Sequence, residues 1–138
     1  MILLDTDTFT LHHAGHLKVV ERASKAAEAS RLTIVTQVEA LRGRQEAFIK
    51  AEDGERLLRA QRLLLSTVEH LARFPIVPFD DTAAAEFDRL RQVKGLKKIG
   101  RNDLLIASIA LANRAKRVTR NTKDFSKVPG LQIENWAD

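Results

Sequence analysis

Five short apolar or β-branched runs alternate with longer stretches of helical rhythm, and that alternation restricts the folds open to this chain. The runs are Ile2–Leu4, Leu32–Val35, Ile76–Phe79, Lys116–Arg120 (centred on Arg117–Thr119) and Leu131–Glu134. Strands separated by helices pair in parallel, because each helix carries the chain back to the edge where the next strand starts. Helices then cover both faces of the sheet. Right-handed crossovers place the carboxyl ends of all the strands along one edge. In open sheets of this kind that edge is the ligand site.

The segments between the strands carry their own signals. Thr8–Leu17 reads as a helical turn and loop, and Val19–Ala29 as a helix. Thr36 is placed to cap a helix over Gln37–Ala51, with Glu39 at the capping-box position three residues on. Glu52–Arg73 predicts a long amphipathic helix. Its Leu57, Leu58, Leu64, Leu65, Val68 and Leu71 recur at helical spacing, as a mainly buried stripe with some exposed remainder does. Pro75 and Pro78 frame the third strand. Asp81 and Thr82 are candidate caps for a helix with Ala84, Phe87, Leu90 and Val93 on its core face. Gly95 and Gly100 punctuate a basic loop, Val93–Arg101. Asp103 then opens a helix whose body (Leu104, Ile106, Ala107, Ser108, Ala110 and Leu111) is almost wholly apolar and therefore buried.

Composition narrows the class. The chain has 138 residues, 44% hydrophobic and 30% charged, which suits one globular domain over 1–138 with a real core. There is no cysteine, so disulfides and thiolate metal sites are excluded, and a reducing cytoplasm is the expected location. No apolar run approaches the roughly 20 residues that span a bilayer. The amino terminus, MILLDTD, lacks the basic and apolar regions of a signal peptide. A net charge of +5 and a pI near 9.9 favour polyanionic partners such as nucleic acid.

Four acids are spaced to meet at the carboxyl edge. Asp5 ends the first strand, and Glu39 follows the second by one helical turn. Asp103 sits at the helix start before the fourth strand, and Asp124 follows that strand. Charge this near a core needs a cation or a hydrogen-bond network. A cluster of carboxylates repels itself unless some protonate or a hard cation neutralises them. Magnesium and manganese take oxygen ligands, activate water and stabilise a phosphodiester in transit. A basic surface around an acidic, metal-holding site is the arrangement of a metal-dependent nuclease.

Each acid also has a plain structural reading. Asp5 could bind turn amides, Glu39 could complete a capping box, Asp103 could answer the helix dipole, and Asp124 could form an Asx turn. His12 and His16 have the i, i+4 spacing of a zinc pair, but no Glu stands beside His12 and Gly15 weakens a helix there. A surface loop is the expectation for them. Arg89, Arg91, Lys94, Lys97, Lys98 and Arg101 form a basic run beside the predicted edge, either a solvated face or a phosphate contact.

Four stretches, taken in order, resemble the PIN-domain ribonucleases, and among these the VapC toxins of bacterial type II toxin–antitoxin modules. They are LLDTD at Leu3–Asp7, TQVEALRG at Thr36–Gly43, GRNDLLIASIAL at Gly100–Leu111 and VTRNTKDFSKVPGLQIENW at Val118–Trp136. The resemblance implies a PIN-like three-layer α/β/α sandwich around a central parallel sheet. It implies a magnesium- or manganese-dependent endoribonuclease acting on RNA, a homodimer and a small cognate antitoxin protein, with no membrane attachment. By the same motifs Asp5, Glu39 and Asp103 are the metal ligands and catalytic acids, with Asp124 a fourth. Thr6, Arg101, Asn102, Thr119, Asn121, Lys97 and Lys98 fall on the substrate side. Asp7 stands where many relatives have Asn, and Leu41 and Arg42 follow Glu39 where relatives carry a larger residue. Two alternatives remain open at this point: a PIN nuclease of ordinary RNA processing, and a non-catalytic binding module that keeps the fold.

Overall fold

The computed structural model describes residues 1–138. Five parallel strands form one sheet: β1 (Ile2–Leu4), β2 (Ser30–Thr33), β3 (Ile76–Val77), β4 (Lys116–Val118) and β5 (Gln132–Glu134). Their order is β3-β2-β1-β4-β5. Seven helices fill the connections: α1 (Thr6–His13), α2 (Leu17–Lys25), α3 (Ile34–Lys50), α4 (Gly54–Leu71), α5 (Asp81–Leu90), α6 (Arg101–Ala112) and α7 (Thr122–Phe125). This is the expected parallel α/β/α sandwich. The strand order reverses direction between β1 and β4, which puts the topological switch point at the ends of those two strands.

Strand alternation sorts the core. Ile2 and Leu4 pack with Phe9, Val19, Leu32, Leu71, Val118 and Trp136 on one face of the sheet. Leu3, between them, packs on the other with Val35, Val77, Ala83, Ile106, Ile109 and Ala110. A third cluster (Leu90, Leu96, Leu104, Ala107, Phe125 and Val128) ties the basic loop and α7 to the buried helix α6.

Several boundaries depart from the expectations. Thr6–His13 is a regular helix rather than a turn and loop. Asp5 caps it by accepting from the Thr8 amide at 2.9 Å, and Thr8 and Phe9 are buried. Gly15, at φ +80°, closes its far end: the Gly15 amide bonds the His12 carbonyl and the His16 amide that of Leu11, the double closure of a Schellman motif. The glycine therefore ends α1 instead of excluding it.

The second strand stops two residues early. Thr33, not Thr36, caps α3, its hydroxyl accepting from the Thr36 amide at 3.2 Å. The capping box at Thr36 and Glu39 is thus corrected: Glu39 lies in the second turn, and its carboxylate is free for other partners. Pro78 offers no amide to a sheet, so β3 ends at Val77, and Asp80 rather than Asp81 or Thr82 caps α5. Ala83 rather than Ala84 is buried on α5 with Leu90.

The leucine stripe of α4 is corrected too. Leu71 is buried and Leu57 and Leu64 half-buried, but Leu58, Leu63, Leu65 and Val68 are exposed, as are Val38 and Ile49 on α3. α3 and α4 pack as a hairpin on each other, and α4 leaves an apolar face toward solvent. No helix is long and apolar enough to cross a membrane.

Candidate active site

Local structure delivers three of the four acids to the switch point. Asp5 leaves the end of β1 as the cap of α1; its own amide bonds the Val118 carbonyl across the sheet at 3.0 Å, fixing it beside β4. Glu39 projects from the second turn of α3, and Asp103 from the first turn of α6.

Two bridges join them in a ring. The first is Arg117, in the middle of β4. Its guanidinium donates to the Asp103 carboxylate at 3.0 Å and to the Asp103 backbone carbonyl at 2.9 Å, and stands 3.7 Å from Asp5. The second is Glu39. One of its oxygens accepts from the Thr6 hydroxyl at 2.5 Å and the other from the Asn102 amide at 3.2 Å. Thr6 follows Asp5 and Asn102 precedes Asp103, so the circuit closes through the backbone. Thr36 steadies it, its hydroxyl lying 3.1 Å from that of Thr6.

Arg117 is fully buried, as is uncommon for arginine. Burial pushes its basicity down, and the two carboxylates oppose that. Its Nε finds no hydrogen-bond partner, and the guanidinium lies over the Phe125 ring, 3.7 Å from the ring centre. The aromatic face supplies the remaining stabilisation. Asp7, one residue beyond Thr6, feels the whole group. Partial burial and then the charges of Asp5, Asp103 and Glu39 raise its carboxyl above the usual range, with Arg120 acting the other way.

Asp124 lies apart from this ring. Its carboxylate accepts from the Asn121 side chain at 2.9 Å, while Asn121 caps α7 by accepting from the Asp124 amide at 3.2 Å. The Thr119 hydroxyl accepts from the Asn121 amide at 3.1 Å. α7 buries Phe125, whose ring lies against the Arg117 guanidinium. Lys97 and Lys98 are exposed on the loop before α6. Arg101 is exposed and rests over Phe87, 5.8 Å from the ring centre.

The sequence matches the PIN domain family pattern over residues 2–131. The chain belongs to the PIN domain family. Among relatives, it is 45% identical over 69 residues to a Rickettsia felis protein named ribonuclease VapC2, a match spanning 48% of this chain and 51% of that one. Across 139 aligned positions it is 26% identical to the Salmonella typhimurium tRNA(fMet)-specific endonuclease VapC, covering 97% of this chain and 96% of the relative. In structure it resembles the crystallised VapBC2 of Rickettsia felis bound to a promoter DNA fragment, with TM-score 0.76, 27% identity and coverage of 99% of both chains. The VapC likeness read from the motifs is borne out.

In this PIN domain the donor set suits a hard cation: carboxylates and hydroxyls, with no thiol. Asp5, Glu39 and Asp103 outnumber the one guanidinium set among them, Arg117, and leave the group net negative. No three acidic or histidine side chains form a ready cage, because each acid of the ring is turned onto its bridge. Magnesium requires only one or two carboxylates beside its waters, so the set fits it without a cage.

Arg117 is the residue that sequence reasoning missed. The one signal was its place in a strand expected to be covered on both sides, which leaves open whether the side chain is buried and what compensates it. The histidines also differ from the surface-loop expectation. His12 and His13 lie on α1 and meet His70 of α4. His12 Nδ1 is 2.9 Å from His70 Nε2, and the His13 ring stacks on His70 with centroids 4.7 Å apart. His16 instead caps α2, accepting from the Val19 amide at 3.4 Å.

Proposed function

We propose that this protein is a magnesium- or manganese-dependent endoribonuclease, the toxin of a type II toxin–antitoxin pair. The observation that carries the reading is the ring of Asp5, Glu39 and Asp103 at the switch point of a PIN domain whose relatives are VapC ribonucleases. Asp5, Glu39 and Asp103 would hold the metal. Asp124 is an outer contributor acting through water. The bound ion would supply an activated water and neutralise charge on the phosphodiester.

The chain's own residues do the rest. Arg117 holds Asp5 and Asp103 in place. Thr6 and Asn102 orient the two oxygens of Glu39, so that little reorganisation is needed when substrate arrives. Lys97, Lys98 and Arg101 attract the phosphates flanking the scissile bond, and Thr119 and Asn121 bound the site on the β4 side. The exposed apolar face of α4 and α3 (Leu58, Leu65, Val68 and Val38) suits a protein partner, as expected of a toxin that is held by an antitoxin and forms a homodimer.

Purified protein incubated with RNA should cleave it internally in magnesium and stop in excess chelator. Asp103→Asn keeps an acceptor for Arg117 and should lose on the order of a hundredfold in rate while remaining folded. Cutting at full rate in chelator, or a wild-type rate in folded Asp103→Asn, would overturn the reading. Co-expression with the product of an adjacent small gene tests the toxin role: that product should bind this chain and relieve growth arrest.

A further inference from the structure

A cleft of about 890 Å³ opens at the other end of the sheet from the acids, where β1, β4 and β5 begin. One wall is α2. There Lys18, Arg22 and Lys25, spaced four and three residues apart, share a face. The opposite wall carries Arg114, just before β4, and Lys116 at its start.

Three acids line the same cleft, and each is already occupied. Glu21 pairs with Lys25 at 2.6 Å, Glu28 with the amino-terminal ammonium at 3.1 Å, and Glu134 with Lys116 at 3.1 Å. Lys18, Arg22 and Arg114 have no carboxylate partner. Arg22 is held in place all the same: one guanidinium nitrogen donates to the Asn135 carbonyl at 2.5 Å, and its other donors have no protein partner. A cleft with unpaired cations on both walls attracts an anion.

Arg114 stands where α6 ends. Its φ of +51° is the chain's one left-handed backbone outside glycine. Glycine would sit there without steric penalty, whereas arginine is strained. Arg114 takes the C′ position of a Schellman closure, its amide bonding the Leu111 carbonyl at 3.2 Å and the Ala115 amide that of Ala110 at 2.8 Å, and its side chain lines the cleft.

We propose that this cleft is a second phosphate-binding site. In the ribonuclease reading, on which this inference rests, it takes the backbone of the substrate RNA away from the scissile bond. β1, β4 and β5 are three residues long, so roughly 10 Å of strand separates the two edges, within the span of a short RNA. The arginine forks suit phosphate oxygens, and Lys18 adds a point charge.

The test is binding, with cleavage suppressed. Isotope-labelled protein in excess chelator is titrated with a short single-stranded RNA, with uridine 5′-monophosphate and with inorganic phosphate, following backbone amide shifts. RNA should shift the amides of Lys18, Arg22, Arg114 and Lys116. The double variant Lys18→Ala/Arg114→Gly should bind RNA more weakly, with its salt slope reduced by about 0.7 for each phosphate it no longer neutralises. Arg114→Gly relieves the backbone, so thermal stability should hold or rise while affinity falls; a purely structural Arg114 would not separate the two. Lys18→Glu, at an exposed helical position, gives the same binding readout should the double variant be unstable.

RNA shifts confined to the acid edge, with an unchanged slope in the variants, would overturn the second site and leave the ribonuclease reading intact. Shifts at the cleft with the mononucleotide or phosphate but not with RNA would overturn the RNA assignment and name a free phosphate ligand instead. No shift at the cleft with any probe would overturn the proposal entirely. Failure of the ribonuclease reading shows separately, as RNA left whole in magnesium.

Discussion

Arg117 holds Asp103 by two atoms at once, donating to its side chain at 3.0 Å and to its backbone carbonyl at 2.9 Å. One residue on β4 thereby sets both the carboxylate and the first turn of α6. The guanidinium is fully buried, Asp5 nearly so, and Asp103 half exposed. Removing one member of such a group leaves the others without compensation. Arg117→Met keeps much of the volume and should destabilise the fold by about 3 kcal/mol, the low end for a broken buried pair because Asp103 regains water. Urea unfolding measures this. Adding Asp5→Asn should recover part of the loss, and strict additivity of the two substitutions would contradict the coupling.

Asp7 reports the charge of the site. Its raised carboxyl means that ionising it works against the folded state, so its contribution to stability is lost as pH rises through that raised value. Asp7→Asn should therefore raise the melting temperature of metal-free protein at neutral pH. Magnesium should raise that of the wild type by several degrees, since a ligand bound only by the folded state stabilises it. This increment should vanish in Asp5→Asn and in Glu39→Gln. An equal increment in those variants would place the metal elsewhere.

The histidine group makes α1 and α4 acid-sensitive. Burial, then His13, His12 and Arg73, push His70 down to about 4; burial first also lowers His12 and His13, with Arg73 beside both and Arg44 beside His13. In the unfolded chain these imidazoles titrate near the ordinary value of 6.5. The unfolded state thus binds protons that the folded state refuses, and stability is lost as pH falls from about 6.5 towards 4. His70→Phe keeps an aromatic ring and should flatten the fall in melting temperature between neutral and acid pH. An unchanged profile would assign the acid sensitivity to other groups.

Asp124→Asn separates a local cap from an outer metal ligand. Asn121 makes the cap itself, so the fold should survive the substitution. The loss of charge should raise the magnesium needed for cleavage, with added metal partly restoring the rate and a smaller defect than in Asp5→Asn. Unaltered metal dependence would confine Asp124 to its bond with Asn121.

Much of this architecture was legible in the residues. Short apolar runs between helical stretches determined a parallel sheet, because only crossovers connect strands separated in that way. Asp5, Glu39 and Asp103 were legible as a group, since each lies within a turn of a strand's carboxyl end or at the start of a helix that packs there.

What the sequence left open was decided by packing between distant segments. Thr33 and Thr36 are equally good caps by type, and the pairing of β2 with β1 and β3 determined which one ends the strand. The stripe from Leu57 to Leu71 looks like core, yet α3 and, near the sheet, α1 cover only part of α4, so Leu58, Leu65 and Val68 face water. Most of all, Arg117 sits next to Lys116 and Arg120 in a basic stretch, where its side chain looks like one more surface charge. Its burial follows from its strand being in the middle of the sheet, and its partners come from β1 and α6. Hydrophobic period and local capping are written along the chain, but the choice of which charge is desolvated, and which carboxylates compensate it, exists only once segments 14 and 112 residues from Arg117 are packed against it.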